Sequence, residues 1–382
     1  MIRAILAILV LGVNAALAQV DPPRVPDRDN SETYRLFGSE HPGLYKHPAS
    51  ITELANGDLY VSYYGGSDEY MQDTAVYGSR LKKGDTLWTH PVVIADTPDH
   101  ADGNPVVWQA PDGVVGRFYN NIYGRTWSAG RVMAKQSHDG AVTWTDPIVI
   151  AFEPGSMVRG QPIVLDTGEY LIPLYRETGS DTEMTASDTS SYFLRYNPKD
   201  KTWKESGRIK SATGNLQAQV VQISPEYLIT YIRRGGTFLP TDKGYAIRSE
   251  SRDGGHTWSE GVDSQFKNPN SALDLIKLKN GHLLMVYNDN MNERTPLTVV
   301  VSTDDDKTWP FRRDIGGGDN TFAYPYAIQT SDEKIHVIYT QNRRTTIMHK
   351  VFNESAITEF GKYLKLMTAA RRAQPMEALG KA

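Results

Sequence analysis

The chain has no cysteine among its 382 residues. That excludes disulfides, thiolate metal ligands, thiol nucleophiles and lipid attachment through an N-terminal cysteine. Stability must therefore come from core and sheet. No excess of one charge is present either: 41 basic and 45 acidic side chains leave a net charge of -4. The electrostatic footprint of a nucleic-acid partner is missing. Long hydrophobic runs are absent as well. The apolar stretch from Ile5 to Val13 is too short to cross a bilayer, and no other is longer, so membrane insertion is not expected. It follows Arg3 and precedes Ala16-Leu17-Ala18 and Gln19, which is the charged start, apolar middle and small-residue exit of a secretory signal. Residues 1–18 are read as that signal, with export to the periplasm or the medium. The nine histidines have no paired metal-binding spacing, and Gly316-Gly317-Gly318 lacks the lysine of a phosphate loop. Neither a metal nor an organic cofactor is expected.

What the chain does have is aromatics, 21 Tyr and 7 Trp, residue types that favour strands. Three segments share one pattern: Ser137-His138-Asp139-Gly140 running to Thr143-Trp144, Ser251-Arg252-Asp253-Gly254 running to Thr257-Trp258, and Ser302-Thr303-Asp304-Asp305 running to Thr308-Trp309. Degenerate copies end at Trp88 and Trp203. The five tryptophans lie 56, 59, 55 and 51 residues apart. In step with them, an apolar strand, a turn and a second apolar strand recur around Gly57, Gly113, Gly168, Glu226, Gly281 and Lys334. Each second strand runs to a tyrosine: Tyr63, Tyr119, Tyr175, Tyr231, Tyr287 or Tyr339. Units of about 55 residues without helical periodicity match four-stranded propeller blades. The predicted fold is all-β, a six-bladed β-propeller over residues 40–360 with four antiparallel strands per blade and no second domain. Residues 19–39 are read as a lead-in and 361–382 as a basic, disordered tail. The Ser, Asp and Gly of the repeat are turn formers, so the motif reports the fold and does not mark a site.

The repeat register also locates a mouth. A tight hairpin joins the far ends of the first and second strands of each blade, so the start of the first and the end of the second share one face. First strands begin at His47-Pro48, Asn104-Pro105, Gln161-Pro162, Gln217-Ala218, Asn270-Ser271 and Tyr324-Pro325. Second strands run into Gly65-Gly66-Ser67-Asp68-Glu69, Asn120-Asn121, Arg176-Glu177, Arg233-Arg234, Asn288-Asp289-Asn290 and Gln341-Asn342-Arg343-Arg344. A crown of arginines, acids and amides at a propeller mouth is a favoured place for a ligand. Asn104, Gln161, Gln217 and Asn288 are its candidate amides.

These Asp-box repeats, with Asn-Pro-Asn-Ser-Ala at 268–272, Leu-Lys-Asn-Gly-His-Leu-Leu-Met-Val-Tyr-Asn at 278–288 and Phe322-Ala323-Tyr324-Pro325, resemble the sialidase (neuraminidase) superfamily, and within it the BNR-repeat-like group. The resemblance covers residues 40–352. It implies action on an oligo- or polysaccharide by a tyrosine nucleophile with a carboxylate partner, an aspartic acid/base and an arginine clamp for a substrate carboxylate. It places Tyr324 as the tyrosine, Asp73 as the acid/base, Glu69 or Glu177 as the partner, and Arg176, Arg234 and Arg344 as arginines facing the mouth. Two positions depart from the family. Lys46-His47-Pro48 stands where its Arg-Ile-Pro would be, and Tyr64-Gly65-Gly66 replaces a second arginine.

Three activities follow. The first is a retaining exo-glycosidase acting on a terminal acidic sugar. The second is a uronate-cleaving lyase, in which His47, His100 or Tyr324 removes a proton while an arginine neutralises the carboxylate. The third is a lectin-like propeller that binds glycan without cleaving it; under each reading a monomer is expected. A carboxylate near Tyr324 favours an enzyme. Tyr324 and His47 should be neighbours, because ring closure brings the sixth blade against the first.

Overall fold

Strand and turn alternate as the repeat spacing predicts, and six antiparallel sheets result. The computed structural model describes residues 24–26, 31–180 and 184–360. The expected signal (1–18) and basic tail (361–382) lie outside them. The inner strands are Tyr45–Glu53, Ala101–Gln109, Ser156–Val158 continued by Ile163–Val164, Asn215–Gln222, Asp274–Lys277 and Ala323–Gln329. Each blade packs against the inner strand of the next, and Ala323–Gln329 returns against Tyr45–Glu53 to close the ring. Four of the hairpins at the far end turn on Gly57, Gly113, Gly168 and Gly281, with φ between 85° and 89°, a conformation that costs only glycine nothing.

Closure uses the stretch assigned to the lead-in. Glu32–Phe37 pairs antiparallel with Thr346–Phe352 as the outer strand of the sixth blade, with Thr33 opposite Lys350 and Tyr34 opposite His349. Arg24–Pro26 adds a further strand outside it. Tying the first strand to the last blade covers an edge that would otherwise be open.

The repeat motif does what its chemistry predicts. In the second blade Asp139 accepts hydrogen bonds from Ser137 Oγ at 2.7 Å and the Thr143 amide at 2.9 Å. Asp253 and Asp304 repeat the pattern in the fourth and fifth blades. These turns join third to fourth strands, which puts them at the end opposite the mouth. The tryptophan that follows each turn plugs the seam with the preceding blade. Trp144 lies 6.3 Å from Tyr60 and under Arg117, whose Cζ is 4.0 Å from the indole. Trp258 lies 4.6 Å from Phe193, and Trp309 packs on Tyr231 and Phe266. Trp88 meets Phe37 and His349 of the sixth blade. The strand-end tyrosines are buried in the walls, none more than 3% exposed.

Candidate functional site

At the mouth, four inner strands break register in the same way. Two residues face one partner at His47-Pro48, Asn104-Pro105, Gln217-Ala218 and Tyr324-Pro325. The result is a β-bulge, which bends the strand and re-aims a side chain. Asn104, Gln217, Asn270 and Tyr324 hold φ of 46°, 61°, 54° and 52°. Left-handed backbone in such residues costs about 1–3 kcal/mol each and persists where the surroundings impose it. For Tyr324 the restraint is visible. Arg159, 1% exposed in the channel below, donates from Nη2 to the carbonyls of Tyr324 at 3.1 Å and Pro325 at 2.8 Å.

The bulges surround a cavity of about 120 Å³, lined in part by Glu69, Asn104, Tyr175, Glu177, Gln217, Arg233, Arg294, Tyr324 and Arg344. The Tyr324 hydroxyl sits 2.9 Å from Arg233 Nη1 and 3.3 Å from Gln217 Nε2. Arg233 is held in place by Asn270 Oδ1 at 2.7 Å and Gln217 Oε1 at 3.1 Å. Arg294 donates to the Asn270 carbonyl at 3.3 Å, while its buried Nη1 has no hydrogen-bond partner among the described residues. Arg344 is paired with Glu69, and both contact the Tyr45 hydroxyl. Guanidinium carbons of Arg233, Arg294 and Arg159 lie 5.9, 5.8 and 5.6 Å from the Tyr324 ring.

Burial and charge shift the titration of two groups that line the cavity. Burial drives the Tyr324 phenol up, but Arg233, Arg294 and Arg344 outweigh it and hold the phenol below the usual tyrosine range. Burial pushes the Glu177 carboxyl up to about 7, against the opposing pull of Arg233. Both groups are thereby drawn toward neutral pH, the range in which acid/base chemistry operates.

The structure sorts the expected residues. Tyr324, Glu69, Arg344, Asn104 and Gln217 line the cavity, as does Glu177. His47 is Tyr324's neighbour, with ring centroids 4.0 Å apart and edge-on. It stands behind the tyrosine and not in the cavity lining. His47 Nδ1 is bonded to Thr340 Oγ1 at 3.0 Å, and burial followed by the nearby arginines keeps the ring neutral. Arg176 and Arg234 are corrections. Side chains alternate along a strand, and each of these sits one residue out of phase with the cavity. Arg176 points to Glu153 at 3.0 Å while Tyr175 and Glu177 face inward, and Arg233 faces inward in place of Arg234. Asp73 is exposed and caps its own loop, accepting from the Ser67 amide and hydroxyl at 3.0 and 2.9 Å. Gln161 is not among the residues lining the cavity, and its backbone N–H donates to Gln219 Oε1 at 3.3 Å. Asn288 is a buried brace, donating to the carbonyls of Pro296 and Phe322 and accepting from Ser271. Arg294, Arg159, Trp127 and Phe238 were missed. Arg294 lies in a loop beyond Leu283–Asn288, outside the repeat register, and only its charge could have marked it.

Residues 57–337 match the BNR repeat-like domain. The chain belongs to the BNR repeat-like family. No curated protein matches it in sequence. Among solved structures, this BNR repeat-like propeller is similar to the Hadza microbial sialidase Hz136, at 18% identity and TM-score 0.71, over 85% of this chain and 69% of that one. It is similar to a protein of unknown function from Dyadobacter fermentans, at 17% identity and TM-score 0.68, over 84% and 97% of the two chains. The NanB sialidase from Streptococcus pneumoniae superposes with TM-score 0.68 at 11% identity, over 84% and 70%. Identities this low establish a shared fold, and the family propeller is that of sialidases.

Proposed function

We propose that this protein is an exported, sialidase-like glycosidase that removes a terminal acidic sugar with retention, using Tyr324 as nucleophile. The observation that carries the reading is the Tyr324 hydroxyl, hydrogen-bonded to Arg233 and set among three arginines in a cavity that also holds Glu177. Arg294, whose Nη1 has no partner among the described residues, suits a carboxylate, and Arg233 adds positive charge beside it. With the carboxylate held there, Tyr324 attacks the anomeric carbon as the phenolate that Arg233 and Arg294 favour, so no phenol proton has to be removed. The glycosidic C–O bond breaks toward the leaving oxygen, and Glu177 delivers the proton. Water then releases the sugar from the tyrosine, with Glu177 returning as base. The arginines that lower the phenol also offset the charges of its phenolate and of the substrate carboxylate, so a tyrosine takes the nucleophile's place, the known exception to the two-carboxylate pattern. Export rests on the signal-like segment 1–18 alone.

One observation favours a second reading. The hydrogen-bond partners of the Tyr324 hydroxyl are an arginine and an amide, with no carboxylate among them. Such a phenolate serves equally as the base of a β-elimination, with Arg233 or Arg294 neutralising a uronate and Glu177 protonating the leaving oxygen. The non-catalytic reading is the least supported, because Glu69 and Glu177 both line the tyrosine's cavity.

The test is turnover of a panel of sialosides and uronate-containing glycans by the wild type and Tyr324→Phe. Release of a free acidic sugar, lost by roughly 1,000-fold or more in the variant, supports the hydrolase. An unsaturated uronate product selects the eliminase. Full activity of Tyr324→Phe on any cleaved substrate removes Tyr324 from the chemistry.

A further inference from the structure

Tyr324 lies on a strand, Ala323–Gln329, that leaves its own ladder at the bulge. Tyr324 and Pro325 have no partner in Ile335–Gln341, and pairing resumes only at Tyr326, opposite Ile338. Two buried charges from other blades take hold of this stretch inside the channel. Arg159, the residue after Ser156–Val158 in the third blade, binds the carbonyls of Tyr324 and Pro325. Asp274, the first residue of Asp274–Lys277 in the fifth blade, is fully buried, and its Oδ2 accepts from the Ala327 amide. Tyr326, between the two grips, has its ring 5.2 Å from the Arg159 guanidinium carbon.

Water would solvate both charges better than the channel does. Arg159 Nε and Nη1 and Asp274 Oδ1 have no hydrogen-bond partner among the described residues. Burial raises the Asp274 carboxyl to about 6, against the pull of Arg159 and of the Ala327 and Leu275 amides. Asp274 is in turn the charge that most offsets the burial of Arg159. Apolar side chains of similar volume often fill such a place with equal or greater stability. A buried pair whose members both bind the backbone of one short segment points instead to control of that segment's geometry. The segment holds Tyr324 at φ 52°, a conformation that persists only where the surroundings impose it.

We infer that Asp274 is a positioning residue for the reaction at the mouth: together with Arg159 it clasps the Tyr324 strand from the fifth and third blades and fixes the phenol against Arg233. The inference rests on the proposed reading of Tyr324 as the reacting group and extends it to a carboxylate that does not line the cavity.

The test compares two variants of the full chain. Asp274→Ser withdraws the acceptor from the Ala327 amide and lets water reach Arg159. Its kcat should fall roughly 30-fold, the scale of a small misplacement of a reacting group, with KM within about twofold. Asp274→Asn keeps an acceptor for the amide and should recover kcat to within about threefold of the wild type. Ultraviolet titration of the tyrosinate lost in Tyr324→Phe reads the same displacement without a substrate. Removing a negative charge favours a nearby phenolate, so loss of charge alone moves this ionisation down in pH. A phenol that slips away from Arg233 moves it up, and the upward shift is expected in Asp274→Ser and not in Asp274→Asn. The inference is overturned by a normal kcat in Asp274→Ser, by a loss expressed in KM alone, or by a Tyr324 ionisation that stays or moves down. It is overturned equally by a folded Asp274→Asn as impaired as Asp274→Ser. Loss of the fold in Asp274→Ser, read by urea unfolding, also overturns it, since the carboxylate would then serve the blade and not the aim of the phenol. No cleavage of any glycan by the wild type would contradict the glycosidase reading instead, while the tyrosinate titration still reports on Asp274.

Discussion

Arg159 holds Tyr324 from below: one guanidinium nitrogen binds the carbonyls of both residues of the bulge that aims the phenol into the mouth. The side chain is not itself among those that line the cavity, so its role is positioning. Arg159→Met keeps the length and removes both bonds. It should lower kcat by roughly 100-fold, the scale of a small misplacement of a reacting group, with little change in KM. Arg159→Lys, which retains one cationic donor, should recover part of the loss. Equal falls in kcat/KM through KM alone would show that Arg159 shapes binding and does not orient the phenol.

Arg233 and Arg234 are adjacent and opposite in fate. Arg233→Ala removes the hydrogen bond to the Tyr324 hydroxyl and should cost roughly 100-fold or more in turnover. Arg234→Ala should leave activity within about twofold. Steady-state kinetics of the two variants side by side check the assignment of the inward face.

The pair also shows what was legible in sequence. The six blades were, because five tryptophans recur at one spacing and every blade carries the same buried strand-end tyrosine, so the period stands out from any single strand. The mouth was legible as a place, and so was the contact between Tyr324 and His47, since both follow from register and closure. Which side chain enters the cavity was not. The decision rests on one-residue alternation at strand ends, where bulges shift the phase, and this separates Arg233 from Arg234 and Glu177 from Arg176. Asp73 matched a family position but is occupied by its own loop, and Arg294 has no counterpart in the repeat.

Glu177 carries a pH dependence of known sign. Its carboxyl is raised to about 7 from an ordinary value of 4.5, so folding favours the protonated form. That stabilisation is complete below about pH 4.5 and is lost as the pH rises through 7, a change of about 3 kcal/mol. Glu177→Gln should therefore be more stable than the wild type at pH 8, with the difference vanishing near pH 4, as read by urea unfolding. Its activity should fall sharply at neutral pH, and the alkaline limb of the wild-type pH profile, where Glu177 loses the proton it must donate, should disappear.

The tryptophan plugs should matter in proportion to burial. Trp144→Ala empties the seam against Tyr60 and strips Arg117 of its aromatic partner, and should cost about 3 kcal/mol or more. Trp203, 44% exposed and stacked only on Tyr196, should cost about 1 kcal/mol. Urea unfolding midpoints compared across the two variants check this order.

The central claim is that the arginines make Tyr324 the reactive group, and an ultraviolet difference titration of tyrosinate absorbance tests it without knowledge of the substrate. In the wild type one tyrosine should ionise below the ordinary value of about 10, ahead of the other tyrosines. That early step should be missing from Tyr324→Phe and moved upward in Arg233→Ala. An early step that survives Tyr324→Phe, or no tyrosine ionising below 10 in the wild type, would contradict the account.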